Sequence, residues 1–155
     1  MKKVYLIIFV ALVIHCGLKA QVSTIPFSSG MDVFTPISGT IIPLGDDVAF
    51  NRPLGFNFNF GSVNCDSIRI CSNGWINFNV NSNAFTVYNP ISNNGYPNSK
   101  MVAPFGCDLI NKRNDASLQY TTVGSAPNRI FIVQWLHMSY YIPNMAYPGD
   151  INFQV

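Results

Sequence analysis

Residues 53–60 place Leu54, Phe56, Phe58 and Phe60 at every second position, with Gly55, Asn57 and Asn59 between them. Successive side chains of an extended strand point to opposite faces, so this spacing predicts a β-strand with one apolar and one polar face. A short linker later, residues 67–71 and 75–78 flank Ser72-Asn73-Gly74, and Asn-Gly supplies the positive φ angles that a tight hairpin turn requires. Strands of this kind must lay their greasy face against a second layer, and that need constrains the rest of the chain.

Downstream, residues 116–122 and 129–141 read as strands separated by a turn at 124–128, and residues 151–155 begin another. Strict alternation from Arg129 puts Phe131, Val133, Trp135 and His137 on one side and Ile130, Ile132, Gln134, Leu136 and Met138 on the other. Trp135 is assigned to the core, where its indole N–H needs one acceptor. Residues 101–105 are apolar without alternation and predict a strand covered on both faces, with Pro104 confined to its end or to a bulge. Residues 79–100, rich in Asn and Ser, read as a long surface excursion pinned by Phe85, Val87, Tyr88 and Ile91, and such loops are commonly binding surface. Upstream, Ile37, Ile41 and Ile42 lie between Pro36, Gly39 and Pro43 and predict a short strand, while residues 21–34 fit an edge strand or an ordered arm. No stretch sustains a 3.6-residue apolar period with caps, and ten Pro and eleven Gly fit a chain of many turns. The expected fold is all-β, two antiparallel sheets packed as a β-sandwich.

The amino terminus reads as a secretory signal. Lys2 and Lys3 precede an apolar run at 4–14, and Leu18-Lys19-Ala20 ends on the small residue that a signal peptidase accepts. That run covers roughly 16 Å as a helix, about half of a bilayer's hydrocarbon core, so it predicts no stable membrane insertion once the signal is cleaved. Cys16-Gly17 offers a lipoprotein reading, which His15 disfavours because Gly, Ala or Ser normally precedes a lipidated cysteine. The division is 1–20 signal peptide, 21–43 arm or edge strand, and 44–155 sandwich, with a secreted or cell-surface destination. Removing Lys2, Lys3 and Lys19 leaves six Lys and Arg against seven Asp, a net charge of −1. No basic patch remains to neutralise phosphates, which excludes nucleic acid as a partner.

Reactive constellations are sparse. Asp46 and Asp47 suit turn chemistry, with a cation site as the other reading. Asp108, Asn111, Asn114 and Asp115 offer oxygens to Ca²⁺ from one loop, though their spacing matches no calcium-loop motif. His137 is the one histidine after the signal, with Ser139 two residues on, but no Gly-x-Ser-x-Gly elbow exists. Asp66, Asp108, Asp115 and Asp150 lack any motif for glycoside hydrolysis. The expectation is therefore no enzyme and no cofactor. Tyr140, Tyr141 and Tyr147 with Asn144 suit a sugar-binding face, rings stacking on sugars and the amide bonding hydroxyls, or they pack loops onto the sandwich.

Five blocks carry a family resemblance: Leu44-Gly45-Asp46-Asp47; Pro53-Leu54-Gly55-Phe56-Asn57-Phe58-Asn59-Phe60-Gly61; Ile70-Cys71-Ser72-Asn73-Gly74-Trp75-Ile76-Asn77-Phe78; Ala103-Pro104-Phe105; and Ala126-Pro127-Asn128-Arg129-Ile130-Phe131-Ile132-Val133-Gln134-Trp135. In this order they resemble an amino-terminal β-sandwich domain of secreted Bacteroidetes proteins, itself distantly similar to the nidogen extracellular domain. The resemblance implies a large exported surface protein with fibronectin-like repeats and a sorting domain of the type IX secretion system. The residues themselves, with no catalytic constellation among them, leave a non-catalytic extracellular module for adhesion or ligand binding that uses the loop Phe85 to Tyr96 and the segment Tyr140 to Tyr147, with a carbohydrate or surface protein as partner. The alternative is an accessory domain of a secreted hydrolase or peptidase whose catalytic part lies beyond Val155. Residues 151–155 resemble the start of a strand that continues in relatives, so the sandwich is expected to be incomplete at that end.

Two cysteines depart from the family pattern, Cys71 where Ser is common and Cys107 after Ala-Pro-Phe, which suggests that they pair. In an oxidising compartment Cys71–Cys107 is the preferred bridge, with Cys65–Cys107 next and no bridge as the remaining reading. Cys65 and Cys71 on one straight strand would lie roughly 20 Å apart, beyond the ~7 Å limit, and would need a bend near Asp66. No histidine accompanies the cysteines at metal-ligand spacing.

Overall fold

The computed structural model describes residues 28–61, 63–81, 100–142 and 149–155. Two units separate, Met1–Val33 and Phe34–Val155. Of the first, residues 28–33 are described; they form no strand, and the Val33 N–H donates to Asp32 Oδ1 at 2.8 Å. The signal segment 1–20, most of the 79–100 excursion, Asn144 and Tyr147 lie outside the described residues.

The second unit is all-β, as the alternation predicts. Its strands are β1 (Thr40–Ile42), β2 (Ala49–Phe60), β3 (Val63–Cys71), β4 (Trp75–Asn77), β5 (Met101–Val102), β6 (Leu109–Ile110), β7 (Ser117–Val123), β8 (Ile130–Tyr140) and β9 (Ile151–Gln154). β2-β3-β4-β5 form one sheet; β1-β7-β8-β6 form the other, with β9 also pairing β8, and every pairing is antiparallel. The core lies between the sheets, where Leu54, Ile68, Ile70 and Ile76 meet Ile42, Leu118, Val133 and Trp135. Trp135 is fully buried, and its indole donates to the Cys71 carbonyl at 3.0 Å, one polar link between the layers. Phe153 stacks on it at 4.8 Å. The opposite face of the first sheet carries a second cluster, Cys71 and Trp75 with Ala49, Met101 and Ala103, because Ala49, Cys71 and Trp75 stand in one register row, Met101 lies two residues along on the same face opposite Asn77, and these positions alternate with the core residues. β5 is shorter than the apolar run 101–105 predicts, two half-buried residues with Met101 packed on one face of the sheet and Val102 on the other, and Pro104 lies beyond its end.

The hairpin forms where Asn-Gly predicts it, but with different geometry. Cys71 pairs with Trp75 across a three-residue loop, and only Gly74 has a positive φ, 76°. Nor is the loop a surface turn, since Ser72, Asn73 and Gly74 are all buried. Ser72 exchanges bonds with Val48, Asn73 Nδ2 donates to Asp47 Oδ1 (2.8 Å), and Asn73 Oδ1 accepts from the Leu109 N–H (3.0 Å).

Two bulges re-aim side chains. Between Pro53 and Phe58 β2 loses register with β3, at Gly55 with φ 79°. In β8 the register with β9 shifts between Trp135 and Met138, where His137 adopts φ 54°. This corrects the strict alternation along β8: the extra residue flips the phase, so Met138 joins Trp135 in the core and His137 leaves that face. The Asn152 side chain holds the kink by accepting from the His137 N–H at 2.7 Å.

Gln119, Gln134 and Gln154 stand in register across β7, β8 and β9, on the face away from the core. They receive the chain leading to β1: Gln119 accepts from the Gly39 N–H, Gln134 from the Ile37 N–H, and Gln154 donates to the Thr35 carbonyl. Side-chain amides thus replace a strand ladder for three alternate residues.

The expected Cys71–Cys107 bridge is not formed; Cys65, Cys71 and Cys107 are free thiols. Cys71 Sγ instead accepts from the Asn73 N–H at 3.4 Å, and Cys65 and Cys71 sit on one continuous strand, which keeps them apart.

Gly74 is the most exacting of these positions. A Cβ there would lie 2.1 Å from the Phe105 carbonyl oxygen, in addition to the unfavourable φ. Gly74→Ala is expected to destabilise the fold by roughly 2–4 kcal/mol, read from urea midpoints at unchanged m-value.

Candidate functional site

A cleft of about 310 Å³ opens between the two sheets. One wall is the bulged stretch of β2, whose Leu54, Phe56, Phe58 and Phe60 all face it as their spacing predicts; the start of β8 and Val155 form the other. Phe58 and Phe60 stack on Phe78 at 5.3 and 4.5 Å, fixing the ring orientations. The cleft reaches solvent at Phe58, 40% exposed, and Ile130, 59% exposed. Arg129 is the single charged residue of the lining among the described residues. Its guanidinium lies 4.9 Å above the Phe56 ring, and Nη1 donates to the Gly55 carbonyl at 3.1 Å. The Gly55 bulge frees that carbonyl from the β2–β3 ladder, and the neighbouring Leu54 carbonyl accepts from Thr122 Oγ1 at 3.2 Å.

A second cluster gathers carboxylates. Asp46, Asp47 and Asp108 bring one oxygen each within 4.8 Å of one another. Asp47, at φ 51°, is the turn residue the sequence suggests, but its partner is the Asn73 amide. Burial, then the Asp47 and Asp46 charges, push the Asp108 carboxyl above its ordinary range. The other oxygens proposed for Ca²⁺ lie elsewhere: Asp115 is held by Arg113, while Asn111 and Asn114 line a polar groove beside β1.

A third cluster surrounds His137. Its Nδ1 donates to Asp150 Oδ1 at 2.6 Å, and Nε2 lies 3.7 Å from Asp115. Arg113 forks onto Asp115 with two bonds of 2.7 Å, which hold that carboxyl down to about 2. Hydrogen bonds from His137 and then Asn152 lower Asp150. Ser139 does not complete a triad; its buried hydroxyl accepts from the Gly149 N–H. Of the tyrosines, Tyr140 and Tyr141 are exposed, and the Tyr140 ring lies against Phe105 at 5.9 Å. Burial raises the Cys71 thiol to about 12 and, helped by the Asp108 charge, Cys107 to about 11, so neither is a thiolate at neutral pH.

A β-sandwich with this strand order can be compared with known families. The NIDO-related family model matches residues 25–155, most of the chain. The chain belongs to the NIDO-related family. Neither among curated proteins nor among solved structures was there a significant match. Membership makes this a nidogen-like domain and points to an extracellular setting; among the described residues no helix is long and apolar enough to cross a membrane. Within this NIDO-related domain, sequence reasoning found the side of the cleft formed by Leu54, Phe56, Phe58 and Phe60 as a strand face but missed Arg129, whose approach to Gly55 depends on a bulge marked only by that glycine.

Two outcomes follow from the charges. Asp108 resists ionisation in the fold, so its charge costs stability once pH rises above the unfolded value of about 3.9. Asp108→Asn is expected to raise the thermal midpoint in EDTA at about pH 7, a gain of no more than about 1 kcal/mol, and to change nothing near pH 3. Asp115 and Asp150 shift the other way: they stabilise above about pH 4, and that contribution is lost as pH falls, for Asp115 toward about 2. Melting curves of Arg113→Gln between about pH 7 and pH 2 should show a shallower acid limb than those of the parent protein.

Proposed function

We propose that this NIDO-related chain is an exported, non-catalytic recognition module, the amino-terminal sandwich of a larger surface protein of the Bacteroidetes type IX kind, and that it adheres to a surface protein or carbohydrate. Family membership supports the extracellular setting, and the basic and apolar pattern of residues 1–20 supports export by a cleaved signal. The observation that carries the recognition role is the cleft. Leaving Phe58 40% exposed forfeits burial worth roughly 1 kcal/mol, a cost that a binding face recovers when it is occupied.

Beads coated with the protein are expected to adhere to immobilised glycans or surface proteins, and Phe58→Asp, at a solvent-reached position, should reduce adhesion by about tenfold or more. Hydrolase or peptidase turnover by the chain, or adhesion indifferent to Phe58→Asp, overturns this reading.

A further inference from the structure

The chain leading into β1 is held by side chains rather than by a strand ladder. Residues 35–39 cross β7, β8 and β9 on the face away from the core, where Gln119, Gln134 and Gln154 bond the main chain at every second residue. Those bonds go to N–H and C=O groups, which any extended peptide offers. Selection comes from shape. A Cβ at Gly39 would lie 2.3 Å from the Tyr120 carbonyl oxygen, so the seat takes a segment with glycine at that point. Two residues back Ile37 is half-buried, while Thr35, Pro36 and Ser38 are exposed.

One further polypeptide meets this requirement by construction, the same segment of a second copy. The arm continues into β1, where Thr40, Ile41 and Ile42 pair with β7 and Ile42 is fully buried, and it then enters Pro43-Leu44-Gly45-Asp46. Beyond that stretch the chain is fastened again, Asp47 to Asn73 and Val48 to Ser72. The connection from an element paired with the second sheet to the start of the first is therefore only residues 43–46. We propose that residues 35–42 are exchanged between two copies of the chain, each arm crossing the glutamine row of the other. Exchange keeps every bond of the seat and alters only the connection, so what opposes it is the freedom lost on association, which concentration offsets. A short connection favours the open form because it has little slack for turning back, and Pro43 fixes one of its φ angles. No residue of the arm lines the cleft, so this interface and the recognition role are separable.

The test uses two batches of the full chain, one ¹⁵N-labelled and one ¹³C-labelled, mixed in urea, refolded together and concentrated. Sedimentation is expected to show a dimer that grows with concentration, and NOEs to join the side-chain amides of Gln119 and Gln134 in one batch to Gly39 and Ile37 in the other. Inserting Gly-Gly-Gly after Gly45 gives the arm slack to fold back and should weaken the dimer about tenfold or more, with melting curves showing that the sandwich stays folded. A monomer at every concentration, NOEs at the glutamines only within a batch, or a dimer indifferent to the insertion overturns the proposal. A dimer that Phe58→Asp disrupts, without NOEs between batches at the glutamines, overturns it in favour of pairing through the cleft.

Discussion

A turn that is buried has no water to satisfy its polar groups, and the loop Ser72-Asn73-Gly74 is buried at the meeting point of both sheets. Each of its needs is answered by a different part of the chain. Ser72 is bonded to Val48 at the entry to β2, Asn73 to Asp47 and to Leu109 of β6, and Gly74 is approached by Phe105 after β5. One residue earlier, the Cys71 carbonyl takes the Trp135 indole of β8. Elements distant in sequence are thereby fixed to a single hairpin. That is why a loop of three small residues tolerates so little change, although side chains of this size add little apolar area.

The parts of the fold that were legible in the sequence are those decided by period alone. Leu54 to Phe60 share a face because side chains alternate, and Trp135 finds one acceptor because an indole has one N–H to satisfy. What escaped was decided by single residues breaking the period. His137 is an ordinary strand residue until Asn152, fifteen positions away, accepts its N–H and lets β8 gain a residue. The glutamine row escaped for a related reason. Gln119, Gln134 and Gln154 look like polar-face residues in three separate strands, and only the pairing register brings them into line beneath Thr35, Ile37 and Gly39.

The cysteines show why composition misleads about cross-links. An oxidising destination favours bridges, but a bridge also requires matched geometry, and each thiol here is already committed to packing. Cys71 lies with Trp75 on the far face of the first sheet, whereas Cys107 packs against the core between the sheets. Their elevated titration points keep both as neutral thiols, and a neutral thiol is a poor nucleophile for exchange.

Among the described residues, polar links join the two layers in two regions, the buried loop where Trp135 reaches Cys71 and Leu109 reaches Asn73, and the β2 bulge, and the difference between them accounts for the cleft. At the first, Trp135 fills the space it crosses, so the bond to Cys71 is enclosed by packed side chains. At the second, the β2 bulge turns the Leu54 and Gly55 carbonyls away from β3, and Thr122 and Arg129 reach across to them. These two bonds compensate the carbonyls but fill little volume, so the sheets are tied together there without being packed together. The same glycine that breaks the β2–β3 register without breaking the alternation of β2 therefore lies beside the apolar space and places the one charged residue of the described lining at its edge.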